Sequence, residues 1–97
     1  MLNNGEGRQL TATVTATVTT FDASGGNSIS VDVEGSEAVY ALVNITKADF
    51  DTAYAAGKTM KIRSGLPYTF NAETLKNLSS ICIRTASSTS AVNLAVF

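Results

Sequence analysis

Residues 10–21 read LTATVTATVTTF and alternate one by one. Leu10, Ala12, Val14, Ala16 and Val18 fall on one side; Thr11, Thr13, Thr15, Thr17 and Thr19 fall on the other. A period of two is the signature of a β-strand, whose successive side chains point to opposite faces. Threonine and valine are β-branched and pack well on a pleated surface. A chain with such a strand builds a sheet with one apolar face, and that face needs a second layer to cover it. Length adds a constraint. At about 3.3 Å per residue the run would span about 40 Å, whereas a domain of this size has a radius of gyration of about 12–13 Å. Either the strand bends from one sheet into another, or one end overhangs and reaches a neighbouring subunit.

The rest of the chain repeats the theme at shorter length. Residues 1–9 are polar, with Asn3, Asn4, Gly5 and Gly7, and read as an N-terminal arm ahead of a single domain over 10–97. Asp22–Asn27 is turn chemistry, since paired glycines accept positive φ without steric cost. Ser28–Val33 predicts a second strand with Ile29, Val31 and Val33 inward. Val39–Ile45 predicts a third, apolar on both faces and therefore central. Over 47–56 the period changes. Thr46 suits an N-cap, Phe50 and Tyr54 stand four apart, and Gly57 suits the position after a helix end. Further strands are expected at 58–63, 68–70, 81–85 and 91–97. A helical turn is expected over 72–78, with Asn71 as cap and Leu75 and Leu78 inward. Six to seven strands with one or two short helical turns predict an all-β fold, an antiparallel β-sandwich of jelly-roll-like or Ig-like form.

Composition narrows function. Histidine is absent from the 97 residues, which removes the usual general base near neutral pH and the commonest metal ligand. Cys82 is the lone cysteine, so neither an internal disulfide nor a cysteine-rich zinc site is available, and a buried inert thiol is expected. Seven basic residues balance eight acidic ones, which argues against a nucleic-acid surface. A net charge of −1 gives little self-repulsion and tolerates association. No apolar run approaches the ~18–20 residues of a membrane span, and the opening MLNNGEGRQL lacks the apolar core of a signal peptide. The expectation is a soluble protein made in the cytoplasm.

Several constellations suggest chemistry without carrying it. The threonine row resembles an ice-binding ladder, but such surfaces need several parallel rows and there is one. Asp49 and Asp51, with Asp22, Asp32 and Glu34, offer calcium-type oxygens without EF-hand spacing; acids at a helix start account for the first two. Pairing Glu34 with Glu37 or Asp32 would imitate a glycosidase, but no tryptophan is present to carry a sugar. Ser64-Gly65 lacks the frame of a nucleophile elbow. Asn44-Ile45-Thr46 and Asn77-Leu78-Ser79 match glycosylation sequons, which mean little without a secretory leader. Arg63 and Arg84 each end a strand and are read as surface charge, with a carboxylate of another subunit as the functional option. No catalytic residue, cofactor site or metal site is expected.

The run RSGLPYTFNAETLKNLSSICIRTASSTSAVNLAVF, Arg63–Phe97, resembles the small β-sandwich structural proteins of tailed-phage virions, and the likeness extends loosely back to Val39. A proline turn leads to a short strand, an AETLKNLS helical turn, an ICIRT strand, a small-polar hairpin and a last strand. The resemblance implies a non-enzymatic virion component of the decoration, cement or head–tail type. Its partners would be copies of itself and other virion proteins such as the major capsid protein, without nucleic acid or membrane. Assembly contacts are expected at Leu2, Arg8 and Gln9 of the arm, at Thr13, Thr15 and Thr17 of the threonine face, and at Val96 and Phe97. Deleting residues 1–9 would then weaken assembly more than it lowers the melting temperature. The alternative is a sandwich module that binds carbohydrate or another small ligand, with Tyr40, Tyr54 and Tyr68 as stacking groups.

Overall fold

A computed structural model describes residues 8–71 and 78–97. In chain order the elements are β1 (Arg8–Val14), β2 (Thr19–Asp22), β3 (Ser28–Val33), β4 (Val39–Val43), α1 (Lys47–Ala55), β5 (Met60–Ile62), β6 (Tyr68–Asn71), β7 (Ser80–Thr85) and β8 (Ser90–Val96). They form two four-stranded antiparallel sheets, ordered β1-β8-β3-β6 and β2-β7-β4-β5. Among the described residues the fold is all-β apart from α1.

Eight strands stand where six to seven were expected, because the long threonine–valine run bends. β1 pairs with β8 in one sheet and β2 with β7 in the other. Between them the Thr17 amide donates to Thr15 Oγ1 at 3.1 Å, a local hydroxyl turn that ends the first strand. The bend also changes the phase of the alternation. Val14 points between the sheets, but Val18 lies in a separate cluster with Phe50 and Cys82. Beyond the bend Phe21 packs on the main core and Thr20 turns outward to Cys82 Sγ at 3.3 Å. A step of one residue flips every side chain of a strand, and here it brings the bulky Phe21 inside.

The sheets meet through aliphatic inner faces. Ile29, Val31 and Val33 of β3, Val92, Leu94 and Val96 of β8, and Val39, Ile62, Ile81 and Ile83 of the facing sheet form one buried cluster. The third strand is central as expected, since β4 lies between β7 and β5. Its second apolar face, Tyr40 and Leu42, packs in the cluster that contains Phe50 of α1. The helix starts where the sequence places it: Thr46 Oγ1 accepts from the Asp49 amide at 3.1 Å. It ends at Gly57, whose φ of +72° is left-handed.

The N-terminal boundary moves. β1 starts at Arg8, so Arg8 and Gln9 belong to the sheet, paired with Val96 and Ala95, rather than to an arm. Asn71 ends β6. The expected turn at 72–78 lies outside the described residues except for Leu78, which is buried as anticipated.

Candidate interaction surfaces

The outer faces of the two sheets differ in chemistry. On β2-β7-β4-β5 the cover is α1. Phe50 is fully buried there beside Cys82, with Tyr40, Leu42, Ile45 and Tyr54 packed around them. The Cys82 thiol donates to the Ile45 carbonyl at 3.3 Å. Tyr40 and Tyr54 meet edge-to-face at 5.2 Å, the Arg84 guanidinium lies 3.9 Å over the Tyr54 ring, and Lys61 stands 5.9 Å over Tyr40. Arg84 also donates through Nε to the Thr85 carbonyl at 2.9 Å.

Among the described residues, no helix lies on the outer face of the other sheet. The register aligns Gln9, Ala95, Ser30 and Thr69 across four strands, then Thr11, Asn93 and Asp32 across three, then Thr13 and Ala91. No side chain in these rows is aromatic or aliphatic beyond alanine, and Asp32 is their only charge. Hydroxyl and amide groups tie the face together. Thr11 Oγ1 donates to Asn93 Oδ1 at 2.8 Å, Asn93 Nδ2 donates to Glu34 Oε2 at 2.5 Å, and the Ser30 and Thr69 hydroxyls lie 2.8 Å apart. A shallow groove of about 330 Å³ runs along β8, between Gln9 and Thr11 on one wall and Ser30 and Asp32 on the other.

A second depression opens between the sheets at their β1/β2 edge. It holds about 270 Å³ and is lined by Leu10, Phe21, Ile29, Leu94 and Val96, with Gln9 and Asp22 at its rim. Leu10 remains 46% exposed there because the facing strand β2 supplies only Phe21 at this height.

The residues expected as assembly contacts do not form one patch. Gln9 and Thr13 are exposed on the bare face, and Thr15 and Thr17 are exposed on the bend between the sheets. Phe97 is 42% exposed, its amide and carbonyl held by Ser28 and Asn27. Val96 is corrected: it is 5% exposed and belongs to the core, as the alternation of Val92, Leu94 and Val96 requires. Leu2 lies outside the described residues, and Arg8 is placed only through its backbone in β1. The three tyrosines are not a common platform, since Tyr40 and Tyr54 pack together on one sheet while Tyr68 is on the other, edge-to-face with Phe70 at 4.8 Å.

The carboxylates singled out in the sequence have local roles. Glu34 takes the Asn93 amide, and Glu37 accepts from the Ser88 hydroxyl at 3.0 Å. Asn44, the first sequon asparagine, sits at φ +55° and accepts from the Ser79 amide at 2.7 Å, tying the end of β4 to the start of β7. Among the described residues no three His, Cys, Asp or Glu side chains lie together as a metal site, and no helix is long and apolar enough to cross a membrane. Sequence reasoning missed Leu10 and Leu66, apolar side chains left exposed, and the Asn93–Asp32 row. An apolar residue inside the SGLP turn was the available signal for Leu66.

No protein-family model and no curated protein matches this chain. Solved structures do. A de novo designed double-stranded β-helix aligns with a TM-score of 0.59 at 16% identity, over 91% of this chain and 96% of the design. A protein of unknown function from Vibrio parahaemolyticus aligns at 0.57 and 11% identity, over 97% of this chain and 80% of that one. HppE, in a structure with iron(II) and substrate, aligns at 0.54 and 8% identity, over 92% of this chain but 44% of its own. Identities this low carry the fold and nothing finer.

Proposed function

We propose that this chain is a non-enzymatic structural subunit, a jelly roll that works by touching other protein subunits. The strand orders β1-β8-β3-β6 and β2-β7-β4-β5 support the jelly-roll form, in which two four-stranded sheets are wound together. The observation that carries the functional reading is the bare outer face of the first sheet. A sheet face kept for solvent usually carries charges of both signs. The side chains aligned across this one are small and mostly uncharged, with Asp32 in its rows and the Glu34 carboxylate bonded to Asn93 beside them. Interface cores are depleted in charge in the same way. Small side chains let a second surface approach closely, and the Gln9–Asn93–Ser30 amides and hydroxyls supply hydrogen bonds.

The interior favours this reading over an HppE-like active site. HppE was solved with iron(II) and substrate. Here the buried cluster between the sheets is Val, Ile, Leu and Ala, with Phe21, Met60 and Phe70 packed against it and Thr85 and Ser90 as the buried polar residues, and no cluster of ligating side chains stands among the described residues. The place of the subunit, in a phage virion as a decoration or head–tail component, rests on the sequence resemblance of residues 63–97 and on the low charge content of 15%.

The test is paired. Thr13→Arg with Ala95→Arg loads the bare face with two cations and leaves the core untouched. The double variant is expected to melt within a few degrees of the parent while losing incorporation into purified particles and self-association in native mass measurements. Equal incorporation of the double variant would overturn the role of this face. A parent protein that is monomeric throughout and absent from particles would overturn the structural reading itself.

A further inference from the structure

Among the described residues the large apolar side chains left exposed fall at two corners. Leu10 and Phe97 lie at one, Leu66 and Tyr68 at the other. The first corner is the 270 Å³ depression at the β1/β2 edge, at the end where β3 begins and β8 finishes. The second is the turn from β5 to β6, the opposite edge strands of the two sheets. Tyr68 pairs with Val31 and Asn71 with Ser28, so the turn preceding Tyr68 lies toward the other end of β3. Hole and knob are therefore diagonally opposed across a body measuring 38 × 25 × 18 Å, and Leu66 cannot reach the depression of its own chain.

We propose that the Leu66 turn of one copy inserts into the Leu10–Phe21–Val96 depression of the next. This inference rests on the reading of the chain as an assembling subunit and names its partner as a second copy of itself. Three features on the two surfaces match. First, the turn is held ready. Gly65 is at φ +81°, the Leu66 amide returns to the Arg63 carbonyl at 3.1 Å, and Pro67 restricts the chain that follows. Presenting Leu66, 67% exposed, in a fixed geometry lowers the ordering cost of association. Second, the depression is apolar on its walls and large enough for a leucine side chain with part of Pro67. Third, the charges are complementary: Arg63, a cation, belongs to the turn, and a carboxylate, Asp22, stands at the rim alongside its own contacts. Because the two surfaces are different, the contact is head-to-tail, and its repetition yields a closed ring or an open filament.

Sedimentation velocity and native mass spectrometry of the full chain test this with two variants. Leu66→Asp spoils the knob and Leu10→Asp spoils the hole. Each alone is expected to weaken self-association about 10- to 100-fold, the effect of losing one buried leucine and placing a carboxylate in an apolar contact. An equimolar mixture is expected to form a one-to-one dimer and nothing longer, since each variant keeps one intact surface. Circular dichroism checks that both fold; if Leu10→Asp does not, Gln9→Arg at the exposed rim replaces it. If the parent associates and Leu66→Asp associates equally, or the mixture stays monomeric, the knob-and-hole contact is wrong while the assembling role stands. A parent that is monomeric alone yet present in particles also overturns the contact and leaves the role. A parent absent from particles and monomeric alone overturns both.

Discussion

The two sheets share one kind of inner face and differ outside. On β2-β7-β4-β5 the outward positions are Tyr40, Leu42 and Cys82, and a nine-residue helix lies over them with Phe50 fully buried. On β1-β8-β3-β6 the outward positions are Thr, Ser, Asn, Gln and Ala with Asp32, and among the described residues no helix covers them. The difference lies in side chains rather than backbone, since both are four-stranded antiparallel sheets. A strand that is apolar on both faces obliges the chain to build a third layer. A strand with hydroxyls outside leaves its face available. In this molecule the closed face is chemically richer, with stacked rings and two cations over them, and the open face is plain. Richness here belongs to internal cohesion, and plainness to contact.

The strongest way to break that comparison is Phe50→Ala. The side chain is completely buried, and truncating such a phenylalanine costs about 3–5 kcal/mol. Urea unfolding followed by circular dichroism is expected to show a loss in this range. A loss below about 1 kcal/mol would mean that the helix is an ornament on a self-sufficient sandwich, against the three-layer description.

A smaller effect is expected from Arg84→Ala on the same face. The guanidinium sits 3.9 Å over Tyr54 and is half-buried. A contact of this kind contributes about 0.5–2 kcal/mol according to its desolvation, and the melting temperature should fall by several degrees for a domain of this length. Lys61→Ala, whose ammonium stands at 5.9 Å from the Tyr40 centroid and is exposed, should change less. An equal loss from both would show that ring contact does not distinguish them.

Much of this layering could be read from local patterns. The doubled apolar character of Val39–Val43 announced a strand covered on both sides, and Thr46 with Gly57 marked the covering helix to within one residue. Ile29, Val31 and Val33 announced their own burial by alternation. The length of the 10–21 run allowed a bend, but its place at Thr15–Val18 was hidden, because threonine and valine continue the period on both sides of it. The one clue was Phe21, a large apolar residue out of phase with Leu10, Ala12 and Val14. The depression was hidden for a different reason. Its walls come from β1, β2, β3 and β8, and no local window of sequence states which strands will stand across from one another. Val96 teaches the reverse lesson: its alternation with Leu94 signalled the core, and proximity to the chain end did not outweigh that periodicity.

The smallest expected effect, and the sharpest test of the open face, is Asn93→Ala. Asn93 is the hub of the bare sheet, accepting from Thr11 Oγ1 and donating to Glu34 Oε2. A network like this in a core would be expensive to cut, because each abandoned partner would be left without water. Here Thr11 and Glu34 are exposed, so solvent replaces the lost amide on both sides. The expected change in unfolding free energy is within about 0.5 kcal/mol. A loss above about 2 kcal/mol would place the network among the elements that hold the fold, and the face would then be plain for structural reasons rather than for a partner. A near-silent substitution in stability that lowers self-association would separate the two roles. The hub would then orient hydroxyls for a neighbour while the aliphatic layer beneath it, Val92 and Leu94, holds the sheet in place.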